Sequence, residues 1–406
     1  MVSFDFERGA TPYSNRDALL DDYTPDKLVG RDDELQEYHG LLEPVIWGDQ
    51  PNNIFLYGKA GVGKTAATRF LLDRLEANAE DYEDISLTTL HINCDGLTSS
   101  YQVARRIVNE LRDPDDQISE HGYSQAAVYE MMWDEIDAIG DIFLIVLDEV
   151  DHIRKDDSIL YQLSRARENE NLKHSKIGVI GISNDMTFRD RLSPKTKSSL
   201  CERELSFSDY DADELRAVLR QREAVAFKDN ALEDGVIPKC AAVAARETGD
   251  AREALDYLLF AGDKAREDNS ETVTEEHVER AREDVEQKAV AEGLSDRNEQ
   301  ARLVAYALAT LEAEGETPAR TNDVYDRYQN LARRASDNPL SVRWVREHLD
   351  SLVMLGILTA NEKNRGEGGG RYKEYKLNQS VEAVVTALEE TIELVGIHES
   401  VTGYIS

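Results

Sequence analysis

The sequence predicts an α/β domain on a parallel sheet, then a small all-helical domain, then a C-terminal winged helix-turn-helix. Three observations predict this order. Up to about residue 205, short apolar runs alternate with helical periodicities, as in strands joined by crossover helices. From residue 208 the strand-like runs stop. After residue 300 the order becomes helix, helix, helix, strand, Gly-rich turn, strand. A chain of 406 residues is long enough for two or three domains. The changes of pattern place their limits at 1–205, 206–290 and 291–406.

In the first domain, residues 33–39 read as a helix leading into the apolar stretch 41–47. Residues 53–57 form a short apolar run ending at Gly58, as a buried strand does. Residues 65–78 carry Phe70, Leu71, Leu72 and Leu75 at helical spacing. Strands follow at 86–93, 143–147 and 177–183, with helices at 101–111 and 126–139. Helices at 211–226, 238–248, 251–268 and 275–288 make the second domain, and a charged segment, 284–298, connects it to the third. There, helices at 300–314, 321–336 and 341–355 precede strands at 356–359 and 372–377, with the turn between them. An amphipathic helix at 381–395 closes the chain, and residues 4–23 read as irregular.

Composition excludes several classes. No run of about 18 apolar residues occurs, so no transmembrane helix is expected. Residues 1–10 are mixed and charged, unlike a signal peptide. Cys94, Cys201 and Cys240 are far apart, which gives neither a disulfide framework nor a zinc site, and the expected compartment is the cytoplasm. Asp plus Glu number 81 against 47 Lys plus Arg, a formal charge of −34. The acids are spread along the whole chain among periodic apolar residues, so they do not signal disorder. Such a surface stays hydrated in molar salt, where the Debye length is about 3 Å and self-repulsion is screened. The composition favours a salt-accumulating cytoplasm over an acidic protein of ordinary salt.

The segment Gly58, Lys59, Ala60, Gly61, Val62, Gly63, Lys64, Thr65 fits GxxxxGK[ST]. Its glycines let the loop wrap with N–H groups inward, where they cradle phosphate oxygens. The helix starting near Lys64 adds the positive end of its dipole. Lys64 is expected on the β- and γ-phosphates of ATP or ADP, and the Thr65 hydroxyl on Mg²⁺. About 90 residues beyond Gly58, the apolar run 143–147 ends in Asp148 and Glu149. A buried strand delivers both carboxylates at its C-terminal end, where open α/β sheets bind ligands. Asp148 can hold Mg²⁺ and Glu149 can orient the attacking water.

The third domain carries a second candidate site. Ser341 is an expected N-cap, and Val342, Val345, Leu349 and Leu352 fall on one helix face. Arg343, Trp344 and Arg346 then point elsewhere, as base-contacting residues of a recognition helix do. Residues 361–376 hold five basic and three acidic residues, a local +2 in a chain of −34. Lys363, Arg365, Arg371 and Lys373 are the candidate phosphate contacts of a glycine-tipped wing. In molar salt the counterion-release term is weak, so base-edge contacts, DNA shape or bridging cations are expected to carry more of the affinity.

These motifs, with Gly181-Ile182-Ser183-Asn184 at a strand end and Gly249-Asp250-Ala251-Arg252 in the helical domain, resemble an AAA+ ATPase and its lid. With the winged helix, Tyr23-Thr24-Pro25 and Gly30-Arg31-Asp32-Asp33-Glu34-Leu35, residues 5–395 resemble the archaeal Orc1/Cdc6 replication initiators, of haloarchaeal type. The resemblance implies that Asn184 is the sensor-1 residue bridging the γ-phosphate and the water, and that Arg252 is the sensor-2 arginine. It implies that Leu28, Val29 and Arg31 pack around adenine, with Ala66 and Tyr210 completing the nucleotide set. It implies that the stretch from Asn93, Cys94 and Asp95 to Arg106 touches the DNA backbone. It further implies binding of double-stranded origin DNA, help in recruiting or loading the replicative helicase, and a weak ATPase used as a slow switch. A monomer in solution, assembling on DNA, is expected.

One stretch departs from the family of ring motors. Residues 193–200, where a trans-acting arginine finger would lie, offer Lys195 and Lys197, with Arg189 and Arg191 just before. Lysine lacks the forked contact of arginine. Three other readings stay open on the residues alone: a nucleotide-regulated transcription regulator, an AAA+ motor or clamp loader, and a winged helix that docks proteins.

Overall fold

The computed structural model describes residues 9–21, 23–25, 27–153, 156–200, 203–295, 297–335, 339–364 and 371–404. It divides into two compact units, Met1–Val278 and Glu279–Ser406. Cys201, Arg365, the side chain of Arg371 and the Gly-rich stretch 366–370 lie outside the described residues.

The first unit begins with α1 (Asp32–Leu42), β1 (Ile54–Tyr57), α2 (Lys64–Ala79) and β2 (Leu87–Asn93). It continues through α3 (Ser100–Leu111), α4 (Gln125–Ile139), β3 (Asp141–Asp148), α5 (Ser158–Ser164) and β4 (Ser175–Ser183). Two short helices, α6 (Phe188–Arg191) and α7 (Pro194–Leu200), lead to β5 (Arg203–Ser206). The five strands form one parallel sheet in the order β2-β3-β4-β1-β5. Successive residues bury alternately on its two faces: Phe55, Phe143, Ile145 and Val179 on one, Ile54, Leu56, Leu144, Val146 and Ile180 on the other. Burial on both faces explains why β1, β3 and β4 read as continuous apolar runs. Only Leu205 of β5 is buried, so this edge strand carries no apolar run and was not expected.

Four helices follow: α8 (Ala212–Ala226), α9 (Val236–Glu247), α10 (Ala251–Glu267) and α11 (Glu275–Ser295). A capping box starts α8, with Asp211 accepting from the Glu214 amide and Glu214 from the Asp211 amide, each at 2.8 Å. The N-terminal segment, expected to be irregular, is tied to α10. The Tyr13 hydroxyl donates to the Leu259 carbonyl at 2.5 Å, and Arg16 pairs with Asp263 at 2.7 Å. The segment 284–298, expected as a connector, is helical as far as Ser295, because Val285, Val290 and Leu294 give α11 a buried stripe amid its charges.

The second unit contains α12 (Glu299–Ala313), β6 (Ala319–Arg320), α13 (Thr321–Arg334), α14 (Val342–Met354), β7 (Leu358–Asn364) and β8 (Arg371–Leu377). A three-stranded antiparallel sheet, β6-β8-β7, completes a winged helix. The expected terminal helix is two, α15 (Val381–Ala387) and α16 (Glu389–Val395), because Leu388 leaves the helical region (φ −105°, ψ 16°).

Candidate nucleotide site and winged-helix surface

The loop between β1 and α2 wraps because its glycines take left-handed conformations. Gly61 has φ +71° and Gly63 +92°. A Cβ on Gly63 would lie 2.9 Å from the Tyr210 hydroxyl, and one on Gly61 would fall on the Asp250 carboxylate. These are close approaches of two lid segments to the loop. The Ala251 amide also donates to the Gly61 carbonyl at 3.2 Å.

Lys64 is 4% exposed. Its ammonium donates to the carbonyls of Gly58 (2.8 Å) and Lys59 (2.5 Å) and to Asn184 Oδ1 (2.9 Å). Burial lowers its pKa to about 8, while the carboxylates of Asp148, Asp151 and Asp250 oppose the fall. Asn184 is held in turn by Asp151, whose Oδ1 accepts from its amide at 3.2 Å.

Asp148 ends β3 at 8% exposure, and its Oδ2 accepts from the Thr65 hydroxyl at 2.8 Å. His91 Nε2 lies 3.3 Å from the same oxygen. Burial pushes the Asp148 carboxyl up, but the bonds to His91 and Thr65 outweigh it and hold the group below the usual carboxylate range. Glu149 behaves oppositely: burial raises its pKa, Asp95 and Asp148 add to that, and His152 opposes it. It sits at φ +53°, at the end of the strand. Its carboxylate, that of Asp95 and the His152 ring offer atoms within 4.8 Å of one another, and His152 Nδ1 is 2.9 Å from Asp95.

A cavity of about 460 Å³ joins these groups. Leu28, Val29, Ala60, Gly61, Gly63, Lys64, Thr65, Ala66, Asp148, Glu149, Asn184, Tyr210 and Arg252 all line it. Arg252 pairs with Asp21 at 3.3 Å and stays half exposed. Gly58, Lys59, Val62 and Arg31 are not in the lining. Lys59 pairs with Asp209, and Val62 is buried in the core. Arg31 is 1% exposed and bonded to the Val62 carbonyl (3.1 Å), Glu34 (2.8 Å) and the Ser208 carbonyl (2.6 Å), with Tyr210 stacked 3.7 Å from its guanidinium carbon. It ties the loop to the start of the lid. Sequence reasoning missed Leu20, Asp21, Arg69, Val218, Gln221, Arg222 and Leu255, which also line it, and Asn93, expected on the DNA backbone, lines it too.

Arg189 and Arg191 are held within the chain, by Glu204 and Asp185, each at 2.6 Å. Lys195 stacks on Tyr161 and Lys197 donates to the Asp190 carbonyl. In the second unit, Val345, Leu349 and Leu352 are buried, and Arg343, Trp344 and Arg346 are exposed, Trp344 at 54%. Ser341 occupies the N-cap position of α14 without a side-chain cap bond. Arg343 pairs with Glu347 at 3.2 Å, Lys363 with Glu374 at 2.7 Å and Lys373 with Asp350 at 2.8 Å.

The parallel sheet, phosphate loop, helical lid and winged helix define an AAA+ ATPase of the initiator kind. Family models agree: an AAA domain matches residues 48–191, a Cdc6 AAA+ ATPase-type lid domain 216–283, and a CDC6 C-terminal winged helix domain 292–387. The chain is 56% identical over 400 residues to ORC1-type DNA replication protein 11 of Haloarcula marismortui, covering 98% of this chain and 96% of that one. It is 44% identical to ORC1-type DNA replication protein 10 of Halobacterium salinarum, over 99% and 97% of the two chains. Among solved structures it is similar to the Aeropyrum pernix ORC1 protein in complex with DNA, at TM-score 0.80 and 36% identity, covering 93% and 97%. The chain belongs to the archaeal Orc1/Cdc6 family of DNA replication initiators, on its haloarchaeal side.

The lid contact has a pH signature. Glu253, in the first turn of α10, has its pKa raised to about 7 by burial, with Glu247 and Asp250 adding to the effect and the Thr248 hydroxyl opposing it. Between about 4.5 and 7 the folded state therefore holds the extra proton, and the stability it contributes is lost as pH rises through that window. Denaturant titrations are expected to show Glu253→Gln gaining on wild type as pH rises from 4.5 to 7. Parallel pH profiles would contradict the assignment.

Proposed function

We propose that this protein is an ATP-controlled origin-binding initiator that helps recruit or load the replicative helicase, with slow hydrolysis resetting it. The observation that carries the nucleotide half is the meeting of Lys64, Thr65, Asp148, Glu149 and Asn184, from three separate segments, in one cavity with Arg252 of the lid. Lys64 is a buried cation bonded to backbone carbonyls and an amide oxygen, a place where phosphate oxygens are better acceptors. Thr65 and Asp148 set two hard oxygen donors 2.8 Å apart, which suits Mg²⁺. When bound there, the ion would supply charge neutralisation at the phosphates.

Glu149 then orients a water that adds to the terminal phosphorus, and its carboxylate takes the proton as the bond to the bridging oxygen of ADP breaks. Asn184 holds the same phosphoryl group from the C-terminal end of the neighbouring parallel strand, β4. Arg252, paired with the exposed Asp21, can exchange that partner for phosphate and couple lid position to the nucleotide. The pairing of Arg189 and Arg191 within the chain supports a switch over a ring motor with a trans-acting finger. Functional limits at 1–205, 206–290 and 291–406, and a monomer that assembles on DNA, complete the reading.

For DNA, the solved ORC1 relative in complex with DNA and the exposed face of α14 support recognition by Arg343, Trp344 and Arg346, flanked by the wing with Lys363, Arg365, Arg371 and Lys373. The wing lysines already have carboxylate partners, so they gain less from phosphate than unpaired lysines would.

Two experiments test this. Lys64→Ala is expected to abolish ATP binding in a titration, and Glu149→Gln to keep binding but stop turnover; continued hydrolysis by the second variant would remove Glu149 from its role. For origin duplex binding at molar salt, Arg343→Ala and Arg346→Ala are expected to cost about 1–3 kcal/mol each. Lys363→Ala and Lys373→Ala should change little. The reverse order would make phosphate contacts the main source of affinity.

A further inference from the structure

Two carboxylates and an imidazole meet where β2 and β3 end side by side. In the parallel register Asn93 lies opposite Asp148, and the Cys94 amide donates to the Asp148 carbonyl at 2.8 Å. The residues just beyond, Asp95 and Glu149, are thereby brought together. A 3-10 turn over Val150–Ile153 then folds back, its His152 amide donating to the Glu149 carbonyl at 3.0 Å. This returns the His152 ring to the same place. Its Nδ1 lies 2.9 Å from Asp95 Oδ1, and one ligand atom from each of the three side chains lies within 4.8 Å of the others. Two donors on one tetrahedral ion, each at about 2.0–2.2 Å, are roughly 3.4 Å apart. A modest rotation of side chains therefore closes the set around one cation. The Asp95 and His152 side chains are 36% and 37% exposed, which lets water complete the coordination.

The charge balance also calls for a cation. Neither Asp95 nor Glu149 has a lysine or arginine ion partner among the described residues. The buried ammonium of Lys64 has its counter-charges elsewhere, on Asp148, Asp151 and Asp250. Burial raises the Glu149 pKa, and the carboxylates of Asp95, Asp148 and Asp151 add to the rise, with His152 opposing it. A divalent ion relieves that excess of negative charge. The donor set selects its kind. Mg²⁺ prefers oxygen and water, whereas an imidazole nitrogen beside two carboxylates suits Zn²⁺ and its transition-metal neighbours. The site is thus distinct from Thr65 and Asp148, the oxygen pair assigned to Mg²⁺.

We propose that Asp95, Glu149 and His152 bind a divalent transition-metal ion of the Zn²⁺ class, and that this ion inhibits hydrolysis. Bound there, it occupies the carboxylate that would otherwise orient the attacking water, while ATP stays on Lys64. The inhibition rests on the reading of Glu149 as the water-orienting group; the binding of the ion does not.

The test uses the full chain, stripped with chelator and free of nucleotide, titrated with Zn²⁺ alone. One ion per chain is expected, weakened about tenfold or more by His152→Ala and by Asp95→Asn, and kept by Thr65→Ala. Binding that survives the first two substitutions, or that only Thr65→Ala removes, would overturn the site, as would no binding at all. A measurement on the unaltered protein needs no folded variant. Co²⁺ alone should give visible d–d bands that Zn²⁺ removes and a roughly hundredfold excess of Mg²⁺ leaves; bands removed by Mg²⁺ would also overturn the site. With ATP and Mg²⁺ saturating, Zn²⁺ is expected to lower turnover severalfold at unchanged ATP affinity. Zn²⁺ that binds at these residues and leaves turnover unaltered would uphold the ion site, and would overturn the inhibition together with the reading of Glu149. Turnover stopped by Glu149→Gln in a protein that binds no Zn²⁺ would keep that reading and overturn this proposal alone.

Discussion

The first unit depends on how one ammonium group is held. Lys64 is almost fully inside a loop of its own chain, and its partners are two carbonyls and the Asn184 amide, none of them charged. Its counter-charges sit one step away, on Asp148, Asp151 and Asp250. Such a cation costs the fold free energy that an anionic ligand returns. The loop can adopt this shape only because Gly61 and Gly63 accept left-handed backbone, and because those positions leave room for Asp250 and Tyr210. The site is thus built from the loop and the lid together.

That joint construction gives the proposed switch its physical basis. Arg31 bridges the loop to Ser208 at the lid entrance, Asp250 caps α10 against Gly61, and Arg252 in the same turn lines the cavity. A ligand that changes the charge at Lys64 acts on each of these contacts.

Much of this was legible in the sequence because it is local. The phosphate loop and the pair Asp148 and Glu149 are each set by a few adjacent residues next to a buried strand. Asn184 and Arg252 needed the family resemblance, since a polar residue at a strand end or an arginine in a helix has no meaning by spacing alone. Arg31 shows the limit of that resemblance: its neighbours Leu28 and Val29 line the cavity, whereas its own guanidinium is spent on protein groups. Val218, Gln221 and Arg222 were not legible at all. They lie on an ordinary amphipathic helix, and only the approach of α8 to residues 23–29 makes that face a pocket wall. The edge strand β5 and the strap at Tyr13 escaped for the same reason, having no periodic signal of their own.

The winged helix of the second unit must work on DNA in a chain of charge −34. Its basic residues are partly paired with Glu347, Glu374 and Asp350, which on the proposed reading moves weight from phosphate attraction to the exposed face of α14. The central claim is that this face and the nucleotide site serve initiation at origins. Mapping chromosomal occupancy in growing cells by crosslinking and sequencing tests it most directly. The account predicts a few sharp sites, flanked by repeats and AT-rich, where DNA copy number is highest. Occupancy spread over many promoters, with none at those sites, would contradict it.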